Sequence, residues 1–144
     1  MASENQYGGA TTESAYAASE SLLLAQSAAK GEINGIFTPN ESTTFGMLLA
    51  LDKAGLAGKI RFIGFDSSDK LTAAVRAGKL DALVLQNPFK MGYLAVQTMN
   101  SVLKSTAVPA RIDTGASLVD KDNIDQPEIA ELVKPNLAQW LDGQ

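Results

Sequence analysis

Three polar residues stand where chemistry with a small hydroxylated ligand is possible. Asp66 ends the apolar run Ile60, Phe62, Ile63 and Phe65. Asn40 closes Gly35-Ile36-Phe37-Thr38-Pro39-Asn40, and Gln86 closes Asp81-Ala82-Leu83-Val84-Leu85-Gln86. Runs of this kind have the composition of buried strands in a parallel sheet. Open α/β sheets place ligands at the carboxyl ends of such strands. If the three strands are neighbours, Asn40, Asp66 and Gln86 line one sheet edge, about 5 Å apart from strand to strand. A carboxylate accepts two hydroxyl protons, and each amide both donates and accepts. That set suits a ligand with several hydroxyls.

The elements around these residues follow from the same reading. Glu4 to Tyr7 reads as the end of a strand, Gly8-Gly9-Ala10 as a turn, and Thr11 or Thr12 as the cap of a helix reaching about Lys30 and stopped by Gly31. Ile33 to Thr38 is a strand. A helix from Asn40 carries Phe45, Leu48, Leu49 and Leu51 at helical spacing and stops at Gly55. Ser67, Ser68 and Asp69 can cap a short helix that spans Ser68 to Ala77, and Leu80 to Leu85 is the next strand. Asn87 caps a helix with Pro88 in its first turn, running to about Ser105 through Met91, Leu94 and Met99. Two extended pieces, 110–114 and 116–119, precede a polar tail with short helices from Pro127 and after Pro135. Strand–helix alternation of this kind predicts an α/β fold with a doubly wound parallel sheet in three layers.

Composition narrows the chemistry. The chain has 144 residues, enough for one domain with a real core. Its net charge of −4 argues against a general nucleic-acid role. It has no histidine and no cysteine, so Ser-His-Asp and Cys-His nucleophile systems, thiolate or imidazole metal sites and disulfides are excluded. No catalytic residue, metal or cofactor is expected. No apolar run reaches membrane-spanning length. Met1-Ala2-Ser3-Glu4 has neither the basic nor the apolar part of a secretion signal, so the chain as written is expected to stay in the cytoplasm.

Plainer roles compete with each assignment. Asn40 and Asp66 are also good helix caps. Gln86 is also an ordinary polar strand end. Tyr7, Phe37, Phe65 and Phe89 fit core or rim positions as well as stacking on a ligand ring, and Met91, Leu94 and Met99 read as a packing stripe. Gly55, Gly58 and Lys59 have the wrong spacing for a phosphate loop.

The blocks GIFTPNESTTFGMLLALDKAG (35–55), IRFIGFDSSDKLTAAVRAGKLDALVLQNPFKMGYLAV (60–96) and LVDKDNIDQPE (118–128) together resemble the sugar-binding type I periplasmic binding proteins of ABC transporters, the ribose-binding-protein group. The resemblance implies a flavodoxin-like or Rossmann-like lobe, with Asn40, Asp66 and Gln86 as the sugar contacts of that lobe. The family usually has an Asn-Asp pair where this chain has Asn40-Glu41. Tyr7 and Phe89 are the aromatic candidates for stacking or the rim.

The resemblance implies a C-terminal half only: 1–87 as the core of the sugar-binding lobe, 88–117 as a segment that packs on an absent N-terminal lobe, and 118–144 as a tail. It implies capture of a monosaccharide for an ABC permease by an extracytoplasmic parent protein, with weak or no binding by this half alone. Exposed strand edges and the 88–105 stripe then predict a homodimer, exchanging the 88–119 region. The effector-binding domain of a LacI-type regulator is the alternative. A flavodoxin-like or Rossmann-like enzyme has little support.

Overall fold

The structure, a computed structural model, describes residues 6–141. In chain order it comprises α1 (Thr12–Ala25), a 3-10 turn (Ala28–Lys30), β1 (Gly35–Phe37), α2 (Glu41–Lys53), β2 (Arg61–Phe65), α3 (Asp69–Arg76), β3 (Ala82–Leu85), α4 (Pro88–Leu103), β4 (Ser117–Asp120), α5 (Pro127–Val133) and α6 (Ala138–Leu141). The strands form one open sheet in the order β1-β2-β3-β4. β1, β2 and β3 are parallel, as α/β alternation requires. β4 pairs antiparallel to β3, which the alternation did not indicate.

The sheet has a covered face and an open one. Ile36 pairs with Phe62, and Gly64 with Leu83 and Val119; these residues point to one side. Phe62, Leu83 and Val119 are fully buried there with Met47, Leu48 and Leu51 of α2 and Leu71, Ala74 and Val75 of α3. α1 packs beside α2. A Cβ at Gly46 would lie 2.7 Å from the Cβ of Ala15, so glycine is what lets these two helices approach. On the other side the register aligns Phe37 with Ile63, and Phe65 with Val84 and Leu118. Phe37 is 59% exposed there, Leu118 is exposed, and Ile63, Phe65 and Val84 are half-buried.

Local chemistry sets the element ends. Thr11 accepts the Ser14 N–H at 3.2 Å while Ser14 Oγ accepts the Thr11 N–H, a reciprocal cap for α1. Asp81 accepts the Phe62 N–H at 2.7 Å and pairs with Arg61, tying the start of β3 to β2.

Four expectations are corrected. α1 ends at Ala25 rather than near Lys30, because Ser27 adopts a left-handed conformation (φ 50°) and the chain continues as a 3-10 turn. Of the two extended pieces, 110–114 joins no strand; only Ser117–Asp120 finds a partner, β3. The α4 stripe is left largely uncovered within the described residues: no α4 side chain is fully buried, Leu94 is half-buried, Met91 and Met99 are exposed, and Val96 and Leu103 are 71% and 78% exposed. Asp66 is not a cap; of the residues that could cap α3, Ser68 takes that role. The strand end expected at Glu4–Tyr7 falls largely on residues 1–5, outside the described residues; Gln6 and Tyr7 have no regular structure.

Candidate ligand cleft at the strand ends

Asp66 follows the last residue of β2, and Gln86 the last residue of β3. The two strands are neighbours, and both residues line a cleft of about 510 Å³ with Ser67, Asn87 and Phe89. Asp66 has a left-handed backbone (φ 63°), uncommon outside glycine though better tolerated by Asp and Asn. Its N–H donates to the Val84 carbonyl at 3.0 Å, which fixes the strained turn to β3. Ser68 caps α3 by accepting the Leu71 N–H, so the cap is supplied two residues later. The Asp66 carboxylate therefore has no hydrogen-bond partner among the described residues and remains available to a ligand. Holding a non-glycine residue there costs on the order of 1 kcal/mol.

Asn87 Oδ1 accepts the Lys90 N–H at 2.9 Å and caps α4. With Pro88 in the first turn, this cap sets the position of Phe89, which also lines the cleft. The opposite wall comes from the C-terminal segment, where Glu128, Glu131 and Leu132 of α5 and Asn136 beyond it face the strand ends. Sequence reading identified α5 as a helix but had no signal that it folds back over Asp66 and Gln86.

Asn40 stands apart. It follows β1, next to β2 in the sheet, but lines a different groove together with Tyr7. Its Oδ1 accepts the Thr43 N–H at 3.0 Å, the Thr43 hydroxyl at 2.8 Å and the Ser42 hydroxyl at 3.1 Å. Its carbonyl oxygen is thus committed to capping α2, and the amide N–H₂ is the end left for a ligand. Tyr7 is 88% exposed. The structure brings Asp66, Gln86 and Phe89 into one cleft and leaves Asn40 and Tyr7 in the neighbouring one.

Asp66 and Gln86 follow neighbouring parallel strands and line one cleft, and the family model for the periplasmic binding protein domain matches residues 1–107. The chain belongs to the periplasmic binding protein domain family. A ribose import binding protein, RbsB, of Haemophilus influenzae is 33% identical over 94 residues, covering 65% of this chain and 32% of that protein. A solved ABC transporter solute-binding protein from Agrobacterium vitis, with bound D-fucose, is 37% identical with a TM-score of 0.80, covering 89% of this chain and 43% of that one. A protein of Brachyspira murdochii described as an ABC transporter, LacI family transcriptional regulator is 31% identical with a TM-score of 0.68, covering 82% and 40%. This periplasmic binding protein domain therefore spans about a third of the curated relative and under half of each solved one.

Proposed function

We propose that this chain supplies one wall of a monosaccharide site, with Asp66 and Gln86 holding sugar hydroxyls and the Asn40 amide donating from the adjacent strand end. The observation that carries this is the uncommitted Asp66 carboxylate, held at the end of β2 by a left-handed backbone, beside Gln86 in a shared cleft. A carboxylate accepting paired hydroxyls makes charge-assisted bonds roughly twice as strong as neutral ones. Phe89 offers an apolar surface at the rim, and Tyr7 does so beside Asn40. No bond is made or broken in this role, and the relatives are described as binding proteins rather than enzymes.

In a longer protein a second lobe would close over this wall by hinge motion, and the loaded protein would deliver its sugar to an ABC permease outside the cytoplasm. The 88–117 segment, with its exposed α4 stripe, would pack on that second lobe. Alone, this chain should bind sugar with a dissociation constant on the order of millimolar or weaker. The stripe and the open sheet face also support a homodimer of the isolated chain, exchanging the 88–119 region. A monomer by light scattering at high protein concentration would overturn that part.

The site is tested by titrating D-ribose, D-fucose and D-arabinose into the chain while following the Gln86 side-chain amide by NMR. One sugar should move that signal in a saturable way, and Asp66→Asn should abolish the movement. No perturbation by any of the three, or an unchanged response in Asp66→Asn, would refute the reading. Likeness to the Brachyspira protein favours one second reading, the effector domain of a sugar-responsive regulator. Sugar-dependent DNA binding by the longer gene product would decide for it.

A further inference from the structure

Asn34-Gly35 is the one place in the chain where an asparagine precedes a glycine. Such a pair holds an electrophile and a nucleophile side by side. The electrophile is the side-chain amide carbon of the asparagine, and the nucleophile is the backbone nitrogen of the next residue. Glycine has no Cβ to hinder their approach.

The fold leaves both partners accessible. Asn34 is exposed, lies outside regular structure just before β1, and its side chain has no hydrogen-bond partner among the described residues. The Arg61 N–H donates to the Asn34 carbonyl at 3.2 Å, so that carbonyl faces β2. Backbone groups alternate in direction along a strand, so the Gly35 N–H points away from β2, where no described strand pairs with β1. A Cβ built on Gly35 would meet nothing beyond its chain neighbours nearer than the Arg61 carbonyl oxygen at 3.7 Å, which leaves room for a ring. Ring closure turns the peptide plane between Asn34 and Gly35 and opens the hydrogen bond to Arg61. That bond belongs to the first pair of β1, where fraying costs little.

The other asparagines among the described residues lack this combination. Asn40 and Asn123 spend their side-chain oxygens on backbone N–H groups. Asn87 precedes Pro88, which has no N–H, and Asn100 lies inside α4. The nitrogen after Asn136 is bonded to the Pro135 carbonyl.

We infer that Asn34 is a site of spontaneous covalent modification, deamidation through a succinimide. The Gly35 nitrogen gives up its proton and bonds to Asn34 Cγ; the Cγ–Nδ2 bond breaks and ammonia leaves. Water then opens the ring at either carbonyl. Opening at Cγ leaves an ordinary aspartate at position 34, and opening at the backbone carbonyl leaves isoaspartate. Either product adds one negative charge to the net −4. Isoaspartate also lengthens the main chain by a methylene and removes the carbonyl that accepts from Arg61, so the Gly35–Arg61 register is lost. This does not depend on the sugar reading, and its test uses no sugar.

The intact chain is aged in mildly alkaline buffer, and its tryptic fragment 31–53 is sequenced by electron-transfer mass spectrometry, which separates aspartate from isoaspartate. Position 34 should convert to both products at a rate within about tenfold of that in the free 31–53 peptide, as expected for a frayed strand end. Asn40, in the same fragment, should stay an amide. Gly35→Ala should slow the conversion severalfold, and Asn34→Gln should eliminate it. A far slower rate in the folded chain than in the peptide would overturn the proposal, because the fold would then protect the pair. Aspartate without isoaspartate, or a rate indifferent to Gly35→Ala, would overturn the ring mechanism.

Discussion

The two faces of the same sheet have opposite fates. On one, Phe62, Leu83 and Val119 disappear under α2 and α3. On the other, Phe37 and Leu118 stay exposed, and α4 carries Val96, Met99 and Leu103 into solvent. Both faces are apolar in sequence, so hydrophobicity alone does not distinguish them. The difference lies in whether this chain provides a covering layer. Stability within the chain should therefore come from the α2/α3 side, while the open side and α4 hold apolar surface that can gain energy only from a partner.

The largest effect should come from truncating the covered layer. Leu51 is fully buried in α2, and Leu51→Ala should cost about 2–5 kcal/mol in urea denaturation. Val96→Ala, the counterpart on α4, should change stability of the monomer by less than about 0.5 kcal/mol. A comparable loss at Val96 would mean that α4 packs after all. Next is Gly64, where an added Cβ would meet Thr44 Cγ2 at 2.2 Å and Thr44 Oγ1 at 2.9 Å. Gly64→Ala should cost about 1–3 kcal/mol, and adding Thr44→Ser, which deletes that methyl, should restore part of it.

Smaller effects separate structural from ligand roles at the strand ends. Asn40→Ala should lose about 1 kcal/mol, the value of a helix cap. Asp66→Gly should be neutral or stabilising by up to about 1 kcal/mol, since glycine accepts the left-handed backbone without strain, yet it should abolish any sugar response. Destabilisation by Asp66→Gly would show that the carboxylate has a structural partner.

The smallest effect is electrostatic. Lys53 Nζ lies 2.7 Å from Glu20 Oε1; this hydrogen bond, with a further one from Tyr16, holds the Glu20 carboxyl below its ordinary range and raises the Lys53 ammonium. The Glu20 contribution is present at neutral pH and is lost as pH falls through its lowered value. Lys53→Met should flatten the decline in urea midpoint between about pH 5 and pH 3.

Much of the fold was legible because local signals agree. Asn40, Asn87 and Thr11 cap the helices assigned to them, and Gly55 and Gly78 stop α2 and α3 in left-handed conformations. The runs at 35–37, 61–65 and 82–85 became adjacent parallel strands, and α5 spans Pro127–Val133. What failed depends on tertiary partners. Ile63 and Phe65 read as buried on both faces, but no described layer covers theirs. Ser27 breaks α1 with a backbone geometry that its residue type does not announce. The antiparallel sense of β4 and the place of Glu131 in the cleft lined by Asp66 arise from long-range folding back of the tail, which no local periodicity records. The separation of Asn40 from the Asp66 cleft was likewise invisible, because strand order places the residues without saying which hollow each lines.

Thr44 has a consequence beyond packing. Fully buried, its hydroxyl lies 2.8 Å from the Thr38 hydroxyl, donates to the Asn40 carbonyl at 2.7 Å and accepts the Phe65 N–H at 3.1 Å. The backbone of Asn40 and the backbone just before Asp66 thus share one rotor. A displacement at either would change the hydrogen bonding at the other, giving two neighbouring hollows a common mechanical joint that the Phe65 amide reports.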